Sequence, residues 1–142
     1  MKRPIVVVNI VILLLFTGTH AFAGDIRSPS GNRVLEIKPN GEIRSVSGTL
    51  LGKINERGEI RLSNGKLNGR FDNDGEVRDA RGARLGKIEP NGQVRDNNGS
   101  YLGKVEDGAV RDKSGKLLGR YENINPNQVA LYFFFNTYLI PR

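Results

Sequence analysis

The chain has 142 residues, with 22 Lys or Arg against 15 Asp or Glu, a formal net charge of +7, one histidine and no cysteine. Without thiols it can form neither a disulfide nor a thiol-linked lipid anchor, and one imidazole supplies neither a zinc or copper ligand set nor a recurring base for a hydroxyl nucleophile. The basic excess is scattered rather than gathered in blocks, which reads as a solubilising surface and does not single out nucleic acid as a partner.

Residues 1–23 have the layout of a secretory signal peptide. Lys2 and Arg3 precede an apolar run from Ile5 to Phe16, and Ala21-Phe22-Ala23 places small residues at the two positions that specify a cut after Ala23. The run is shorter than the ~20 apolar residues a spanning helix needs. The expectation is an exported protein of the periplasm, cell surface or extracellular space, with no transmembrane span in the mature chain. Cleavage also removes His20, the only histidine.

The mature chain would begin at Gly24, which opens a phrase that returns six times: Gly, any residue, Ile or Val, Arg. Its glycines are Gly24, Gly41, Gly58, Gly75, Gly92 and Gly108, spaced by 17 residues four times and then by 16. Such units bury their apolar faces mainly against one another. Residues 24–121 therefore read as a repeat domain of six copies. A second Gly follows seven residues after the first, and a third after four more in every copy but the first, where Leu35 takes the place.

Between the glycines, segments such as Glu76-Val77-Arg78-Asp79 and Leu85-Gly86-Lys87-Ile88 alternate apolar and polar residues over a few positions, which suits half-buried strands. The tetrads Lys38-Pro39-Asn40-Gly41 and Asp79-Ala80-Arg81-Gly82 typify the two sets of turns, with Gly supplying a positive φ. Connections this short permit only an antiparallel meander. Ile26, Ile43, Ile60, Val77, Val94 and Val110 are the predicted core of one strand type, and Ile37, Ile54, Phe71, Ile88, Val105 and Tyr121 that of the other. The third Gly shares their face and allows close approach. Leu51, Leu85, Leu102 and Leu118 are expected on the opposite face.

Residues 122–142 break the pattern. The apolar run from Val129 to Phe135, too short to span a membrane, is predicted as a strand buried on both faces that closes the ring, followed by a tail from Asn136 to Arg142.

The copies, with the alanine-led aromatic run from Ala130 to Phe135 and the leader, resemble the five-fold β-flower proteins, small exported bacterial proteins. The resemblance implies an all-β closed ring of about five β-hairpin petals around an axis. It brings no established activity and no catalytic residues to map, and Leu35 and six copies in place of five depart from its pattern.

The search for chemistry finds no catalytic, cofactor or metal constellation. Asp72-Asn73-Asp74-Gly75-Glu76 gathers oxygen ligands around a Gly, but the later ligands of a calcium loop are missing and the equivalent turns carry Lys or Arg. The candidate ligand-binding residues are Arg44, Arg61, Arg78, Arg95 and Arg111, whose forks could grip phosphate or carboxylate. The structural alternative pairs them with Asp79, Asp96, Asp112 or a cross-strand Glu76. A second basic series, Lys53, Arg70, Lys87, Lys104 and Arg120, is expected to keep the outer face wet and the edges unpaired. The expected protein is a non-enzymatic scaffold or binding module for envelope protein or glycan, or else a module for phosphorylated or sulfated glycan.

Overall fold

The computed structural model describes residues 23–139, so the predicted leader lies outside them except for Ala23. Each copy supplies two strands. They are β1 (Gly24–Arg27) and β2 (Arg33–Ile37), β3 (Glu42–Ser45) and β4 (Leu50–Ile54), β5 (Glu59–Leu62) and β6 (Leu67–Phe71), β7 (Glu76–Asp79) and β8 (Arg84–Ile88), β9 (Gln93–Asp96) and β10 (Tyr101–Glu106), then β11 (Ala109–Asp112) and β12 (Leu117–Glu122). Each is antiparallel to its sequence neighbours, and β1 pairs with β12 through Ile26 and Tyr121, closing a twelve-stranded barrel. The closed antiparallel ring is as expected, but it counts six two-stranded units rather than about five, because the last copy supplies both of its own strands.

The turns follow from their glycines. At Lys38–Gly41 the Lys38 amide donates to the Glu42 carbonyl and the Gly41 amide to Lys38, with Gly41 at φ 88°, a loop that any side chain at that position would strain. The Gly41 carbonyl accepts from Ile54 of the next hairpin at 3.0 Å, so each turn is tied to its neighbour. Copy six differs. Asp107 (φ 50°) and Gly108 (φ 79°) form a two-residue loop with both φ positive, the conformation an Asp-Gly pair favours. This shorter loop accounts for the 16-residue step.

Inside the barrel, Ile43 lies opposite Ile37 on one side and Gly52 on the other, and the same register recurs around the ring. Ile26, Ile43, Ile60, Val77, Val94 and Val110 are all buried, which agrees with the predicted core face. The leucines do not. Where β3 meets β4, Arg44 pairs with Leu50 and Ile43 with Gly52, leaving Leu51 as an extra residue in the ladder. Leu85, Leu102 and Leu118 occupy the same bulge in later copies, and all four pack against the buried cluster instead of facing away. A bulge breaks strict alternation, so counting by twos assigns its residue to the wrong face.

The largest departure is at the end of the chain. The predicted closing strand is a helix, α1 (Pro126–Leu139). With β1 and β12 already paired the barrel offers no edge, so a segment entering it must satisfy its own backbone hydrogen bonds, which a helix does. The start is capped: Asn125 Oδ1 accepts from the Asn127 amide at 2.9 Å, and Pro126 takes the first helical position, where no amide is needed. Val129, Ala130, Leu131 and Phe135 are buried, and Tyr132 and Phe133 meet edge to face with ring centres 5.1 Å apart.

The third glycines receive the aromatic rings. A methyl group added at Gly119, Gly103 or Gly86 would lie 2.5, 2.6 or 2.9 Å from the ring of Phe133, Phe134 or Phe135 respectively. Three consecutive aromatics thus reach three alternate strands, β12, β10 and β8, because successive helical side chains point in different directions. These glycines also lie close to a neighbouring backbone carbonyl, that of Arg95 for Gly86. Leu35, in place of the third Gly, is itself buried.

Candidate functional site: the outer wall

Because Ile or Val points inward, the residues on either side of it point outward, and the barrel wears a belt of charge. The repeated arginines all make one structural bond. Nη1 of Arg27, Arg44, Arg61, Arg78, Arg95 and Arg111 donates to the carbonyl of the turn glycine four residues on, at 2.8 to 3.1 Å. The ladder therefore braces the turns that join each odd strand to the next even one.

In copies one to four a further guanidinium nitrogen finds an acidic partner two residues earlier on the same strand, since positions i and i+2 share a face. Arg27 pairs with Asp25 at 2.9 Å and Arg44 with Glu42 at 2.8 Å, while Arg78 holds both Glu76 and Asp72. The Arg44 hydrogen bond holds the Glu42 carboxyl below the usual carboxylate range. Asp79, Asp96 and Asp112 do not pair with the arginines. Each caps its own turn, as Asp96 Oδ1 does by accepting from the amides of Asn98 and Ser100, and the Ser114 hydroxyl draws the Asp112 carboxyl down similarly.

The third copy shows the motif complete. Glu59 stands opposite Arg70 on the next strand, and its carboxylate reaches Arg61 Nη2 at 3.2 Å and Arg70 Nη2 at 3.3 Å. Hydrogen bonds from Asn55 and then Arg61 keep the Glu59 carboxyl low. One carboxylate is clamped between two guanidinium groups.

Around the ring this acidic position reads Asp25, Glu42, Glu59, Glu76, Gln93 and Ala109. In copy five the Gln93 amide oxygen accepts from Arg95 at 3.2 Å, and Glu89 supplies the charge at 3.0 Å. Arg95 also stands over the Tyr101 ring at 6.0 Å. In copy six nothing replaces the carboxylate. Ala109 stands opposite Arg120, Arg111 stands opposite Lys104, and among the described residues no carboxylate pairs with Arg111 or Arg120. These side chains, together with Glu106 and Asp107, line a cleft of about 360 Å³. Lys104 leans toward Glu106 at 2.8 Å, and that hydrogen bond raises the lysine pKa.

Of the five candidate arginines, the structure thus places Arg44, Arg61, Arg78 and Arg95 in partnered positions and Arg111 in an open one. Arg120, which reads in the sequence as part of a wetting series, joins Arg111. The Asp72, Asp74 and Glu76 carboxylates come within 4.8 Å of one another, but Arg78 holds Asp72 and Glu76, and Asp74 accepts the Glu76 amide, so turn chemistry accounts for them.

The architecture and the repeat agree with a family model described as 5-fold beta-flower protein, which matches residues 23–137. The chain belongs to that family. Neither a curated protein nor a solved structure matches this β-flower chain. Among the described residues of this β-flower protein, no helix is long and apolar enough to cross a membrane. Its outer face of Glu, Arg and Lys is the reverse of the apolar band that a lipid-facing barrel carries.

Proposed function

We propose that this β-flower protein is an exported, non-enzymatic scaffold that binds protein or glycan of the cell envelope through its outer wall. The observation that carries the reading is the occupied interior. With α1 and its aromatic rings filling the barrel, a partner has the outer belt to meet, a rigid surface of six related faces. In copies one to five the repeated arginines of that belt are committed to carboxylates and to turn carbonyls, an arrangement that builds a wall rather than a reacting centre. Export rests on the basic, apolar and small-residue order of residues 1–23.

Two measurements test it. A tagged full-length chain expressed in a bacterium should leave the cytoplasm and be recovered with Gly24 as its first residue; a product retained uncleaved in the cytoplasm refutes export. The mature protein should retain a discrete partner from a glycan array or an envelope extract. A reading as an anion-binding module gains support from the open Arg111, and binding unchanged between low and high salt would count against it.

A further inference from the structure

We propose that the cleft of copy six binds a phosphorylated or sulfated sugar, with the anionic group seated between Arg111 and Arg120 in the place left by Ala109. The barrel itself supplies the template. In copy three the same two positions, Arg61 and Arg70, grip the Glu59 carboxylate at 3.2 and 3.3 Å. The register that sets Glu59 opposite Arg70 also sets Ala109 opposite Arg120, so the backbone places both arginines at the same two ladder positions. Replacing Glu by Ala removes the internal anion and leaves its cationic seat, while Lys104, opposite Arg111, is already engaged by Glu106 at 2.8 Å.

The structural explanation for such an alanine is a lost ion pair and nothing more. Against it stands the cleft: about 360 Å³ opens at this place and is lined by these residues. Its chemistry narrows the ligand. Guanidinium forks recognise phosphate and sulfate oxygens through paired, charge-assisted hydrogen bonds. Glu106 and Asp107 in the lining repel a second negative charge but accept hydrogen bonds from hydroxyl groups. A ligand with one anionic group beside several hydroxyls satisfies both halves, whereas a nucleic acid or a densely anionic lipid surface does not. The short Ala109 side chain in the lining leaves room for the sugar ring to approach.

This inference rests on the reading of the protein as a binding scaffold and can fail separately from it. The mature protein would be titrated with N-acetylglucosamine 6-sulfate and glucose 6-phosphate, and in parallel with inorganic sulfate, inorganic phosphate, unmodified glucose and phosphatidylglycerol vesicles. At least one anionic sugar should bind more tightly than its inorganic ion and than glucose. Ala109→Glu, which installs the carboxylate of copies two to four, should weaken binding by at least about tenfold, as should Arg120→Gln, the loss expected for one charge-assisted contact. Arg61→Gln should leave it unchanged. Circular dichroism would confirm that Ala109→Glu is folded, as expected from the Glu already present in copies two to four. No binding of either anionic sugar, binding that survives Ala109→Glu, equal binding of the free ions, or preference for the vesicles would each overturn the proposal. The array and extract experiments would still decide the scaffold reading.

Discussion

Val77 and Arg78 are neighbours in one strand and belong to different worlds. Val77 faces the filled interior among glycine, β-branched and aromatic neighbours, while Arg78 faces water among carboxylates and turn carbonyls. The inner face contains few polar side chains and depends on volume. The outer face is made of exchangeable ion pairs, so a residue can be lost there without the barrel losing its shape. That difference leaves the outside free to vary from copy to copy, and it does so at Gln93 and Ala109.

The sharpest way to break this contrast is from within. Phe135→Ala removes a buried ring seated on Gly86 and should cost about 3–5 kcal/mol, measured by chemical denaturation; a change under about 1 kcal/mol would mean the ring is not part of the core. Gly86→Ala should come next, at about 1–3 kcal/mol, because its methyl would meet the Arg95 carbonyl at 2.3 Å and the Phe135 ring at 2.9 Å. Gly82→Ala makes a useful partner experiment. Nothing lies within 4 Å of a methyl there, so its cost should come from the positive φ of 87° alone and be smaller.

Acid should affect only the outer face. The Glu42 and Glu59 carboxyls lie below their ordinary range, chiefly through Arg44 and Asn55 respectively, so the stability they add is present above the unfolded carboxylate pKa of about 4.3 and disappears as pH falls through the lower folded value. The expected result is a modest lowering of Tm between pH 6 and pH 3, with the barrel still folded. Cooperative collapse near pH 4 would show that the belt, and not the core, holds the ring together. The smallest effect belongs to Glu59→Gln, which should move Tm by only a small fraction of the Phe135 change, since exposed pairs contribute little.

Much of the ring was readable from residue order. Glycine spacing marked every turn, and alternation identified the inner face, because a backbone needing positive φ and a sheet with one buried side leave strong traces in sequence. The leucine bulges were not readable by counting in twos. Nor was α1, since a run apolar on all sides carries no periodicity to separate helix from strand. Its cue lay just ahead, in Asn125-Pro126, a cap followed by a residue that needs no amide partner. The candidate site had a cue as well. In the repeated phrase the second residue varies, and its change from acid to Gln93 and Ala109 becomes informative only once the register shows that this position sits beside the strand's own arginine and opposite a Lys or Arg of the next strand.

The pairing of Ile26 with Tyr121 has a consequence for how the molecule comes into being. Each hairpin can form from residues close together in sequence, quickly and in any order, whereas the seam joins the first strand to the last and carries nearly the whole loop-closure cost of the chain. A chain emerging from its amino end therefore accumulates hairpins whose outermost strands are unpaired and whose glycine-lined face still lacks its aromatic filling. Only when the last strand and the helix beyond it arrive can both be covered. Until then the protein presents two open sheet edges, the form most exposed to aggregation or proteolysis.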